Sequence, residues 1–183
     1  MTFPFHYKKA AQVAATLLRL APKQRMNYYR LLKLLYIADR ESVRETGRPI
    51  IGGRVVAMER GPLHSTILDL IKGVDCESPT WFENFRTDHY DVEMMQDPGN
   101  GELSRYELGL LERIAREYQD DDEWEVGRKT HTFAEFASDP PAQGRVRTIP
   151  LDAIIDAVGR SADKDAILRD AQEVAVFDRV FGR

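Results

Sequence analysis

The chain has 183 residues, 43% of them hydrophobic and 31% charged, with a formal net charge of −4 and one cysteine. That size and balance suit one globular domain, or one domain with an appendage, that buries its core without disulfides or metal. No stretch approaches the roughly 18 apolar residues of a membrane span, and the lone Cys76 excludes an internal disulfide and fits a reducing compartment, so a soluble, cytoplasmic protein is expected.

Ala10, Val13, Ala14, Leu17 and Leu18 recur at helical spacing and predict an amphipathic helix over 8–20, ended by Pro22. The lysines before this run superficially suggest a leader peptide, but Gln12, Thr16 and Arg19 interrupt it. The strongest element is NYYRLLKLLYIADRESVRET at 27–46, apolar on almost every side of its early turns and so expected at the centre of the domain. Asn27 suits its N-cap, and Gly47 followed by Pro49 suits its end. Arg54–Met58 is short and β-branched and predicts a strand. Gly61-Pro62 then reads as the start of a helix that buries Leu63, Ile67, Leu70 and Ile71 and closes at Gly73.

Residues 81–86 and 90–94 read as two further strands, with Tyr90, Val92 and Met94 on the buried face. Ser104 and Glu107 make a capping box for a helix reaching about Tyr118, and Thr132 with Glu135 repeats that spacing. The acidic run at 120–125 suits a helix start, and 138–150 is the best candidate for an exposed loop. A short helix at 151–158 and a longer one at 162–181, ending in Val176, Phe177, Val180 and Phe181, complete the chain. The expected class is α+β, mostly α: a helical domain with a small antiparallel β-sheet of about three short strands.

Five of the twelve glycines fall within 47–73, a density that raises the question of a phosphate-binding loop. GRPIIG matches the first half of such a loop, yet Gly53 and Arg54 follow where lysine and a hydroxyl are required, and a strand follows where a helix should. Each glycine instead marks an element boundary. The four histidines, His6, His64, His89 and His131, show no metal-ligand spacing. Cys76 stands between acidic neighbours that disfavour a thiolate. No cofactor, metal or catalytic set is expected. A hydrolase or transferase remains conceivable only if Asp39 and His131 meet in one pocket.

Binding is the better reading. Tyr29, Lys33, Tyr36 and Arg40, extended by Arg44, follow steps of about one helical turn on 27–46. Such a stripe serves equally as core with snorkelling basic heads, as protein-interface anchors, or as a base-stacking surface. Residues 1–73 carry thirteen Lys/Arg against five Asp/Glu, and residues 74–183 carry thirteen against twenty-five. That asymmetry suits attraction between the halves, within one fold or across a homo-oligomer, more than a nucleic-acid surface.

The order of motifs is specific. Lys33-Leu34-Leu35-Tyr36-Ile37-Ala38-Asp39, then Gly47-Arg48-Pro49-Ile50-Ile51-Gly52, then Ala57 and Gly61-Pro62, with Thr130-His131 downstream, resembles the SocA-like antitoxin, or Panacea, domain family over roughly residues 8–136. Asp39, Gly47, Pro49, Gly52, Gly61, Pro62, Thr130 and His131 are the motif positions, of structural rather than catalytic character. Phe133 and Phe136 stand in a shifted register after the Thr-His pair, which leaves the role of His131 open. The resemblance implies a bacterial antitoxin that neutralises a cognate protein toxin by direct binding, or delivers it to the ClpXP protease. It divides the chain into a Panacea domain at 1–136 and a segment at 137–183 that packs on it or serves partner contacts. Tyr29, Lys33, Tyr36, Arg40, Arg44, Phe177 and Phe181 are the expected toxin-contacting residues. A nucleic-acid-binding regulator using the basic half is the alternative. No membrane is expected as a partner.

Overall fold

A computed structural model describes residues 2–75 and 78–181; the reading of Cys76 lies outside them. The axis is helix α2 (Tyr28–Thr46), started by the Asn27 side chain accepting from the Tyr29 N–H and ended at Gly47, whose N–H donates to the Val43 carbonyl. Every residue from Leu31 to Asp39 is buried. Helix α1 (Tyr7–Arg19) is sunk almost as deeply. Gln12 and Thr16 are buried too: Thr16 donates to the Gln12 carbonyl, and a later turn satisfies Gln12, which donates to the Pro98 carbonyl and accepts from the Glu102 N–H.

Two three-stranded antiparallel sheets flank this axis, where the sequence predicted strands for one. In the first, β1 (Arg25–Asn27) pairs with β5 (Asp91–Met94), which pairs with β4 (Phe85–Asp88). Val92 and Met94 point into the core as predicted, while Tyr90 lies in the turn and is exposed. The strand predicted from residue 81 is instead helix α4 (Pro79–Asn84), because Ser78 caps the Trp81 N–H and Pro79 occupies the first turn.

The second sheet runs β3 (Gly61–His64), β2 (Val55–Met58), β6 (Arg147–Ile149). Here Gly61-Pro62 opens a strand rather than a helix. Glu59 and Arg60 form a two-residue hairpin turn, Pro62 sits opposite Ala57, and an edge strand tolerates a missing N–H. Helix α3 (Ser65–Ile71) begins only afterwards. Helix α5 (Arg105–Glu117) carries the predicted Ser104–Glu107 box, and α6 (Glu123–His131) a second one, from Asp122 and Glu125. The Thr132–Glu135 box does not form. Phe133 precedes α7 (Ala134–Ala137) without a side-chain cap, and Glu135 turns inward.

Residues 138–146 are an exposed loop, apart from partly buried Pro141. Beyond β6, α8 (Leu151–Ala157) and α9 (Lys164–Phe181) follow. Ile149, Leu151, Ile154, Ile155, Ile167 and Ala171 form a second apolar cluster with Tyr36, Val43, Val55 and Ala57. Arg160 bonds the carbonyls of Arg44 and Glu45, closing the end of α2 from 115 positions away. The mostly helical α+β class is as predicted.

Candidate partner-binding face

The stripe on α2 does not lie on the surface as a unit, because α2 packs against β3, α6 and α8. Lys33 and Tyr36 are each 1% exposed and cannot meet a partner as surface anchors. The Lys33 ammonium donates to the Pro62 carbonyl at 2.8 Å. The Tyr36 hydroxyl donates to Glu135 Oε1 at 2.5 Å, and Arg40 Nε donates to the same oxygen at 2.7 Å, with the guanidinium 4.1 Å above the Phe133 ring. Burial and the adjacent Glu135 charge push the Tyr36 phenol well up. Burial works against the Arg40 charge, but the Glu135 carboxylate outweighs it and raises the pKa. Arg44 is exposed and pairs with Glu41 on its own helix. The inward-facing part of the stripe is therefore a tether between α2 and α7.

The motif positions divide into two joints. Asp39 Oδ1 accepts the N–H groups of Ile50 and Ile51 at 2.9 and 2.8 Å, and Oδ2 that of Gly52 at 3.0 Å. This clasps the Gly47–Gly52 loop, with Pro49, onto α2. A Cβ at Gly52 would lie 2.4 Å from the Pro4 carbonyl oxygen, so only glycine fits. The imidazole beside Asp39 is His64, its Nε2 3.4 Å from Oδ2 and both ring nitrogens without a hydrogen bond of good geometry. Burial pushes the His64 pKa down and that of Asp39 up, each against the pull of the other. His131 belongs to the second joint. At Gly61 (φ +97°) a Cβ would stand 2.8 Å from Thr130 Oγ1, 2.9 Å from His131 Cδ2 and 3.1 Å from Lys33 Nζ. The hairpin thus touches α2 and α6 at once. The His131 ring also stacks on Phe136 at 4.7 Å.

The exposed surface nearby is built from residues that the sequence reading mostly passed over. Tyr90 stacks on Tyr28 (6.2 Å between centroids), and Tyr28 on Tyr29 (4.4 Å). The Arg60 guanidinium then lies 4.9 Å from the Tyr29 ring and 5.0 Å from that of Trp124. Burial, reinforced by Tyr29, pushes the Tyr28 phenol up to about 12. Tyr90 is 65% and Trp124 53% exposed. This ladder joins α2, the β2–β3 hairpin, the β4–β5 turn and α6. Of these, the sequence marks only Tyr29 as a partner contact: Tyr90 is expected there on a buried face, and Arg60 and Trp124 lie on other elements than α2. Phe177 and Phe181 are also exposed, their rings 4.5 Å apart on α9.

Among the described residues, six of the thirteen basic side chains of 1–73 pair with the acidic half, Arg40 among them through Glu135. Lys8 pairs with Glu102, Lys9 with Glu107, Arg19 with Asp97, Arg25 with Asp88 and Asp91, and Arg48 with Asp170. Among the described residues, no helix is long and apolar enough to cross a membrane, and no three His, Cys, Asp or Glu side chains cluster as a metal site would need.

Residues 31–135 match the model of the family described as antitoxin SocA-like, Panacea domain, a span that includes both joints and the tether. No curated protein and no solved structure matches the chain.

Proposed function

The chain belongs to the SocA-like antitoxin, Panacea-domain family, and from that premise we propose that it neutralises a cognate protein toxin by direct binding through the Tyr90–Tyr28–Tyr29–Arg60–Trp124 ladder. Family membership itself suggests the antitoxin role. The observation that carries the binding face is the ladder: rigid tyrosine, tryptophan and arginine side chains, mutually stacked and open to solvent. These residue types dominate the energetics of protein interfaces, and rings already held in place lose little conformational freedom on docking. The internal pairing of the basic half supports a protein partner over nucleic acid. Delivery to the ClpXP protease needs a second surface that stays free in the complex, and we assign that part to Phe177 and Phe181.

The test is capture of the tagged protein from its host at ~150 mM salt, near physiological ionic strength, with and without nuclease. A nuclease-insensitive small protein, toxic when expressed alone, is the expected companion. Trp124→Ala weakens that complex by about 2 kcal/mol, roughly 30-fold in Kd. Replacing Phe177 and Phe181 by alanine leaves capture intact and lengthens the toxin's half-life if delivery operates. Recovery of nucleic acid alone refutes the proposal.

A further inference from the structure

Beside the ladder a cavity of about 260 Å³ opens between α2, the β2–β3 hairpin and α6. Tyr29, Arg60 and Trp124 line it, with Arg128 and His131 from α6. Lys33 is the least exposed of its lining residues and forms the floor. The Lys33 ammonium has three N–H groups and a single acceptor, the Pro62 carbonyl, and no carboxylate of the described residues pairs with it. The Arg60 guanidinium is held by two aromatic rings and has neither a hydrogen bond nor an ion pair among those residues. A buried cation without a counter-charge is costly unless something arrives to neutralise it, and the exposed Arg60 beside it adds positive charge at the entrance.

Resting on the antitoxin reading for the partner's identity, we propose that this cavity receives one carboxylate, the side chain of an aspartate or glutamate on the toxin. Lys33 supplies the buried counter-charge and Arg60 the guide at the entrance. A single acid fits better than a phosphate chain. Glu59 and Glu123 also line the cavity and repel an extended polyanion, whereas one carboxylate suffices to neutralise one ammonium. Burial alone pulls the Lys33 pKa down to about 7, so above that pH the Lys33 amine takes up a proton from solvent as the anion binds. Affinity is then flat below pH 7 and falls about tenfold per unit above it, until the raised pKa of the complex is reached. The other charged groups facing this ammonium are Arg60 and Glu59 of the hairpin, and Glu123, Arg128 and His131 of α6; Tyr29 faces it from its own helix.

The probe is acetate, titrated by NMR with the Trp124 indole and the Lys33 side-chain signals as reporters. Acetamide serves as the neutral isostere and tripolyphosphate as the polyanion. Acetate is expected to move the indole signal and raise the Lys33 midpoint, and acetamide to do neither. Lys33→Met abolishes the response and Arg60→Gln weakens it several-fold. Histidine as a class titrates near neutrality, so His131→Gln is made alongside and keeps the pH profile if Lys33 is its source. A response shared by acetamide, one independent of pH, or one retained in Lys33→Met overturns the assignment. So does tripolyphosphate binding more tightly than acetate through the same residues. Arg60 is exposed, and Arg60→Gln carries the test if Lys33→Met does not fold. Acetate binding without any captured toxin refutes the antitoxin reading alone. Toxin bound undiminished by Lys33→Met, with no acetate response, refutes the receptor alone.

Discussion

Asp39 offers the sharpest quantitative test of how this fold is held. Among the described residues, its carboxylate is the only acceptor for three consecutive buried N–H groups, of Ile50, Ile51 and Gly52. Asp39→Ala leaves all three unsatisfied, at about 1–3 kcal/mol each. Two effects offset part of that sum. The cost of burying the carboxylate disappears, and the adjoining groove, about 140 Å³ and lined by Asp39, Tyr36 and His64, admits water to the orphaned donors. The expected net loss is about 3 kcal/mol, a fall in Tm of roughly 6–12 °C for a chain of this size. Asp39→Asn keeps Oδ1 and with it the bonds to Ile50 and Ile51. Its amide turns a donor toward Gly52 but stands within reach of His64 Nε2, 3.4 Å away in the native pair, so the loss is about 1–2 kcal/mol. Urea unfolding measures both, and hydrogen exchange reads amides 50–52 directly. If Asp39→Ala costs under ~1 kcal/mol with those amides still protected, the clasp contributes little beyond an ordinary single hydrogen bond. If Asp39→Asn is as damaging as Asp39→Ala, the charge rather than the bond geometry holds the loop. Either result refutes the reasoning.

Gly61→Ala combines a left-handed backbone with contacts to Thr130, His131 and Lys33, and is expected to lower stability by about 2–4 kcal/mol, measured by thermal melting. Glu135→Ala strands Tyr36 and Arg40 and costs roughly 3–5 kcal/mol, whereas Glu135→Gln, which keeps an acceptor, costs less in the same assay. The folded Lys33 pKa of about 7 lies below the ordinary lysine value of 10.5, so between these values the unfolded chain holds a proton that the folded chain has released. Lys33 therefore adds stability as pH rises through that window, by at most about 1.4 kcal/mol per unit; urea midpoints at pH 7 and 9 check this, and the increment disappears in Lys33→Met.

Helix α2 was readable because its cap, its stop and its apolar run all agreed. What could not be read was which way its polar residues faced. When nearly every side of a helix is covered, a stripe such as Tyr29–Lys33–Tyr36–Arg40 carries no sign of inside or outside, and the covering elements, β3, α6 and α7, decide it. Pro62 was ambiguous for a related reason: its missing N–H is tolerated both at a helix start and on an edge strand. Tyr90 fitted the alternation of β5 and yet fell in the turn, one position beyond the pairing. The ladder was least legible of all. Apart from Tyr28 and Tyr29 its members lie on separate elements, and a stack between Tyr29, Arg60 and Trp124 exists only after tertiary assembly. A capping box, by contrast, is local, and that of α5 follows from four residues, but the same spacing at Thr132–Glu135 makes none because Glu135 is drawn inward to Tyr36 and Arg40.

The contact between the end of α2 and residues far along the chain bears on how the protein is made. The ladder is assembled wholly from residues 28–124, whereas the second apolar cluster closes only on Ile149, Leu151, Ile154, Ile155, Ile167 and Ala171. At ribosomal rates of ~5–20 residues per second, the forty-odd residues from Trp124 to Ala171 take roughly 2–9 s to add. During that interval the nascent chain already contains every residue of the face proposed to meet the toxin. Tyr36, Val43 and Val55 meanwhile still await their cover, and the last carbonyls of α2 still await Arg160. Recognition and completion are thus separated in time along a single polypeptide, with the recognising side synthesised first.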